Sequence, residues 1–125
     1  MSFALRAGYR VFLYERYIDL RWGFERLALC VRENQKRDLL EGDLFVFLGN
    51  NRRRCKALCF DGSGLVLVTK RLEHGQFLRL AQLELGNGEL TYEEFAVLFS
   101  GGVVLRPKFG SCALTRAHGG GDART

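Results

Sequence analysis

Seven basic residues fall within residues 50–79 of this chain: Arg52, Arg53, Arg54, Lys56, Lys70, Arg71 and Arg79, against the acids Asp61 and Glu73. That surplus equals the formal net charge of +5 carried by all 125 residues, so the rest of the sequence is balanced. Fifteen of the nineteen basic residues are arginines, whose planar guanidinium grips phosphate or carboxylate with two parallel hydrogen bonds. Phe45 and Phe47 lie just ahead of the arginine triplet. Bases interleaved with aromatic rings suit two chemistries: phosphates with a neighbouring stacked base, or an acidic patch on another protein. The candidate contact set is therefore Arg52, Arg53, Arg54, Lys56, Lys70, Arg71, Phe45 and Phe47.

Catalytic chemistry finds little in this sequence. His118 lies in a glycine-rich tail and His74 directly precedes Gly75, so neither is placed as a general base. There is no dinucleotide or P-loop glycine pattern, no His-Glu-x-x-His and no Gly-x-Ser-x-Gly. Asp19, Asp43 and Asp61 could be imagined as an acidic triad holding a metal for phosphoryl transfer. Each has a simpler role, as helix cap, strand start and turn residue respectively. The four cysteines, Cys30, Cys55, Cys59 and Cys112, lack the paired close spacing of a zinc site, and Cys55 and Cys59 share one face of an expected strand. They read as core thiols. No catalytic residue, metal ligand or cofactor is expected.

The elements that position the basic cluster follow from the pattern of apolar runs and turns. Residues 41–77 hold apolar, β-branched and aromatic runs, joined through the arginines and an Asp-Gly-Ser-Gly turn, which predicts a three-stranded antiparallel meander. A turn at residues 61–64 sets Phe60 opposite Leu65, Leu58 opposite Leu67, Lys56 opposite Thr69 and Arg54 opposite Arg71. A tight turn at Asn50 and Asn51 sets Phe47 opposite Arg54 and Phe45 opposite Lys56. Alternation then gives a small apolar face of Leu44, Val46, Cys55, Ala57, Cys59, Val66 and Val68, and a second face that mixes phenylalanines with bases. The small face is expected to lie under a helix at residues 22–35, with Asp19 near its N-cap. Trp22 reads as edge packing, with a binding role as the alternative.

Outside the meander, residues 9–14 suggest a short strand or extended arm, and residues 79–86 are ambiguous between strand and helical turn. Thr91 and Glu94 form a capping box ahead of a short helix at residues 92–100 that buries Phe95, Leu98 and Phe99. Val103 to Leu105 offers an edge contact before Pro107. The fold class expected is α+β, an antiparallel β-meander packed against one or two helices. With 47% hydrophobic and 26% charged residues and one proline, residues 1–115 read as a single compact domain and 116–125 as a flexible tail. No apolar run reaches the ~20 residues needed to span a bilayer, and no signal peptide opens the chain. A cytoplasmic protein with reduced thiols is expected.

Several blocks of the sequence carry a family resemblance. They are Gly8-x-Arg-Val-Phe-Leu, Asp19-Leu-Arg-x-Gly-Phe-Glu-x-Leu, Gly42-x-Leu-Phe-Val-Phe, Arg53-Arg-x-Lys, Asp61-Gly-x-Gly-Leu and Lys70-Arg-Leu-Glu-x-Gly-x-Phe. In this order, over residues 8–105, they resemble the TnpB-type accessory proteins of bacterial insertion-sequence family sixty-six, not to be confused with the RNA-guided nucleases that share the TnpB name. The resemblance implies a helper in transposition, encoded beside a separate, larger transposase that would be its partner, and it supplies no catalytic residues. Departures from the family pattern are Cys59-Phe60 in place of Tyr-Trp, Arg16 in place of glycine, and Val103-Val104 in place of Ile-Asp. The basic and aromatic face would then contact DNA as part of a nucleoprotein complex, or dock on the transposase without touching DNA.

Overall fold

The computed structural model describes residues 9–82, 88–101, 103–105 and 113–115. Residues 83–87, Gly102, Cys112 and the segment from Arg116, on which some of the expectations above fall, lie outside the described residues. Among the described residues, seven strands and two α-helices run in the order β1 (Val11–Leu13), α1 (Phe24–Cys30), β2 (Leu44–Leu48), β3 (Arg54–Phe60), β4 (Leu65–Arg71), β5 (Glu89–Leu90), α2 (Tyr92–Phe99), β6 (Val103–Leu105) and β7 (Ala113–Thr115). The fold is α+β. Five strands form one mixed sheet in the order β4-β3-β2-β1-β5, and β6 and β7 pair separately.

The meander β2-β3-β4 forms as its turns predict. The β3–β4 register pairs Arg54 with Arg71, Lys56 with Thr69, Leu58 with Leu67 and Phe60 with Leu65. Asp61 holds the intervening turn, its Oδ1 accepting the Ser63 and Gly64 amides at 2.9 and 3.0 Å. The β2–β3 register differs from expectation by two residues, because Phe45 pairs with Leu58 and Phe47 with Lys56. The turn is longer than Asn50-Asn51. Gly49 N donates to Arg54 O, and the left-handed residue of the loop is Arg52, at φ 57°. A slip of two preserves side-chain parity, so the two faces of the sheet sort as the alternation requires.

What covers those faces departs from expectation. The small face, with Leu44, Val46, Cys55, Ala57 and Cys59, packs against Phe77 and against Phe95, Leu98 and Phe99 of α2. The aromatic face, with Phe12, Phe45, Phe47 and Leu58, packs against Leu27, Ala28, Cys30 and Val31 around α1. The expected seating of α1 on the small face is therefore corrected: Phe95 and Phe99 of α2 meet the face with Cys55, Ala57 and Cys59, and α1, with Ala28 and Cys30 beside Leu27, meets the phenylalanines. Large against small is the arrangement that lets facing layers interdigitate.

The helix termini follow local chemistry. Thr91 caps α2, its Oγ1 accepting the Glu94 amide at 3.0 Å while Glu94 Oε1 accepts the Thr91 amide at 2.7 Å. Asp19 does not cap α1, whose N-cap is Gly23. It closes the preceding turn instead, accepting the Arg21 amide at 2.9 Å. The last turn of the helical segment, Val31–Gln35, widens to a π-helix and stops at Lys36, at φ 54°.

β1 is an interior strand rather than an arm. It pairs in parallel with β2 and antiparallel with β5, and a parallel partner needs the long crossover that α1 supplies. With neighbours on both sides and helices over both faces, all five residues of β2 are buried.

Candidate functional site

The turn at residues 49–53 and the start of β3 gather the arginines at one end of the sheet. Asp61 is at the other end of the β3–β4 hairpin, about 20 Å away at ~3.3 Å per residue. Arg54 and Arg71 are direct cross-strand partners, so two like charges stand side by side, an arrangement that destabilises a sheet by a few tenths of a kcal/mol up to ~1. Arg71 makes an exposed ion pair with Glu73 at 3.3 Å. Among the described residues, no carboxylate lies within ion-pairing distance of Arg54. Lys70 points to the opposite face, with its ammonium 5.0 Å from the Phe99 ring centroid.

Three of the eight candidate contact residues are corrected by burial. Phe45 and Phe47 are fully buried, stacked on Phe12 with ring centroids 5.7 Å apart and tilted against Tyr14 at 5.4 Å. Neither ring is open to a base or a groove. The signal lay in the unbroken apolar run of Leu44–Leu48, since a strand covered on both faces loses its polar alternation. Lys56 is also buried, at 8% exposure. Its ammonium donates to Leu20 O at 2.9 Å and Trp22 O at 2.6 Å, which pins the turn ahead of α1 to β3. Burial, and next the Arg54 charge, push the Lys56 pKa down. Replacing Lys56 with methionine leaves both carbonyls without their donor and is expected to cost about 1–3 kcal/mol. Denaturant unfolding followed by Trp22 emission measures this, and an unchanged midpoint would contradict the tether.

Arg52 and Arg53 belong partly to the scaffold. The Arg52 guanidinium donates to Phe77 O and Gln76 Oε1, both at 3.1 Å, and its own carbonyl accepts the Phe77 amide at 2.6 Å. Arg53 donates from Nη2 to Glu73 O at 3.2 Å and accepts the Leu72 amide at 2.8 Å. These bonds strap residues 72–77 onto the turn and offset the cost of the left-handed Arg52, roughly 1–2 kcal/mol. Arg53, exposed, keeps further donors facing solvent. The basic surface is thus the exposed Arg53 and Arg71, with the half-buried Arg54 between them and, among the described residues, without a carboxylate partner.

The three aspartates are spent on structure. Asp43 accepts the Arg10 amide at 3.0 Å. The hydrogen bond from the Arg21 side chain pulls the Asp19 pKa down to about 2, and the Ser63 and Gly64 amides lower that of Asp61. A carboxylate depressed in the fold stabilises it above the unfolded value of 3.8, and that contribution is lost as pH falls toward the folded pKa. The melting temperature should therefore drop as pH falls below 3.8, and less steeply in Asp61→Asn. An acid limb of unchanged steepness would contradict the turn role of that carboxylate.

Cys30, Cys55 and Cys59 are buried free thiols, and burial pushes Cys55 up to about 12. Among the described residues, no three His, Cys, Asp or Glu side chains converge as a metal site, and no helix is long and apolar enough to cross a membrane. One surface feature has no recognised motif behind it. Arg26 lies over the Trp22 ring at 4.3 Å, beside a groove of about 320 Å³ that also involves Arg16, Tyr17 and Leu29. The i, i+4 spacing of Trp22 and Arg26 is its trace in the sequence.

A family model described as "IS66 Orf2 like protein" matches residues 9–108, from the tyrosine ahead of β1 to beyond β6. The chain belongs to this family. It is an IS66-type transposon accessory protein. Among curated proteins of Sinorhizobium fredii, uncharacterized protein y4hO is 44% identical over 69 residues, covering 55% of this chain and 60% of that protein. Uncharacterized protein y4jC is 33% identical over 94 residues, covering 75% and 80% respectively. No solved structure matches this IS66 Orf2-like chain.

Proposed function

We propose that this IS66 Orf2-like protein is a non-catalytic factor that assists the transposase of its element, in the cytoplasm, within a nucleoprotein complex. Its contact with DNA is through phosphates, made by Arg53, Arg54 and Arg71. The observation that carries this reading is the cross-strand pairing of Arg54 with Arg71. Two guanidiniums held side by side, the half-buried Arg54 on β3 and the exposed Arg71 on the edge strand β4, repel each other, and an anionic backbone relieves that repulsion. Guanidinium donors also match phosphate oxygens in geometry. With Phe45 and Phe47 in the core, no stacked base is part of the contact. Sequence preference, if any, would come from the transposase, because phosphate contacts position a protein without reading bases.

The test is binding of the purified protein to duplex DNA across a salt series. The logarithm of affinity should fall linearly with the logarithm of salt concentration, by about 0.9 for each phosphate neutralised. A flat dependence would overturn phosphate contact. It would favour the second reading, in which the same arginines dock on an acidic surface of the transposase.

A further inference from the structure

The groove beside α1 is separate from the basic end of the sheet, and phosphate contact there leaves it unused. Trp22 just ahead of α1, Arg26 and Leu29 on it, and Glu33 in the π-helical turn that follows line the groove at three- and four-residue spacing, together with Arg16 and Tyr17 from the loop after β1. The walls are open to solvent, with Leu29 43% and Tyr17 38% exposed. Tryptophan, tyrosine and arginine are the residue types that dominate binding energy at protein interfaces, the two aromatics because they offer a large contact area at modest entropic cost and arginine because its planar fork makes several directed hydrogen bonds.

We propose that this groove docks a partner protein through an acidic segment carrying one bulky apolar anchor. Charge complementarity sets the sign. Arg16 and Arg26 outnumber Glu33 among the charged groups of the groove, and among the described residues neither arginine has an ion-pair partner. Volume sets the size. At about 320 Å³ the groove is at the lower end of the ~300–1,000 Å³ range of ligand pockets, with room for one large side chain and its neighbours. Leu29 supplies the apolar wall for that anchor. A nucleobase fits less well, since the Arg26 guanidinium already occupies one face of the Trp22 ring and the Glu33 carboxylate repels phosphate. The inference does not rest on DNA contact by Arg54 and Arg71.

Trp22 is the single tryptophan of the chain, so its emission reports directly on the groove. The probe is a blocked, tryptophan-free helical peptide with leucines on one face and glutamates elsewhere. Two counterparts are its lysine-substituted analogue and an oligothymidylate. The acidic peptide should shift Trp22 emission saturably and bind at least about tenfold more tightly than the lysine analogue. Arg16→Glu with Arg26→Glu should abolish the shift, whereas Arg26→Lys should keep most of it. Leu29→Asp, at an exposed position, should weaken binding by about tenfold with an unchanged melting temperature. This second variant keeps the test decisive should the charge reversal fail to fold. The proposal is overturned if the acidic peptide gives no shift, if the lysine analogue binds equally well, or if only the oligothymidylate titrates the tryptophan.

Discussion

Phe47→Ala is expected to destabilise the fold by about 3–5 kcal/mol, the usual cost of truncating a buried phenylalanine. Phe47 is in the middle of β2, with 0% exposure, between Tyr14 and the strand that carries Lys56. Its removal opens a cavity beneath α1 that the rigid sheet cannot close. Such a loss is a large share of the roughly 5–15 kcal/mol that stabilises a domain of this kind. Denaturant unfolding monitored by circular dichroism measures it. A change within ±0.5 kcal/mol, typical of surface positions, would restore Phe47 to the surface and with it a role in stacking on a base.

That residue also shows why the sheet was legible in the sequence while its coverage was not. Local turn chemistry fixed β3 against β4, and Asp61 with its two glycines left little freedom in that register. The β2–β3 turn carried a misleading signal. Asn50 and Asn51 favour a tight turn, yet Arg52 takes the left-handed conformation, held by Phe77 and Gln76 from a segment more than twenty residues away. Long-range hydrogen bonds of that kind leave no local pattern. The parallel pairing of β1 with β2 is equally non-local, and it converts Phe45 and Phe47 from surface candidates into core. The capping box of Thr91 and Glu94 needs only neighbours, and it formed as its spacing predicts. The exchange of α1 and α2 between the two faces turns on side-chain size: Phe95 and Phe99 fit over Ala57 and Cys59, whereas Ala28 and Cys30 fit over Phe45 and Phe47.

The candidate site divides along the same line. Arg54 and Arg71 could be paired from the turn alone, and their register is as expected. Lys56 could not be removed from the contact set without knowing that the Leu20 and Trp22 carbonyls lie over β3. Arg52 and Arg53 carry both structure and charge, so truncating the whole triplet would confound unfolding with weakened binding.

The central claim, that the open arginines meet phosphates, is tested most directly by comparing the salt dependence of duplex binding in the native protein and in Arg54→Ala with Arg71→Ala. Neither side chain makes the Arg52 and Arg53 bonds that strap residues 72–77 onto the turn, and removing the like-charged pair relieves a repulsion of up to ~1 kcal/mol. The exposed ion pair of Arg71 with Glu73 contributes little in return. The double variant should therefore melt no lower than the native protein. Its plot of log affinity against log salt should be shallower by about 0.9 for each phosphate that is no longer neutralised, so that binding weakens most at low salt. A slope unchanged by the double substitution, in a protein that still folds, would contradict phosphate binding at this end of the sheet.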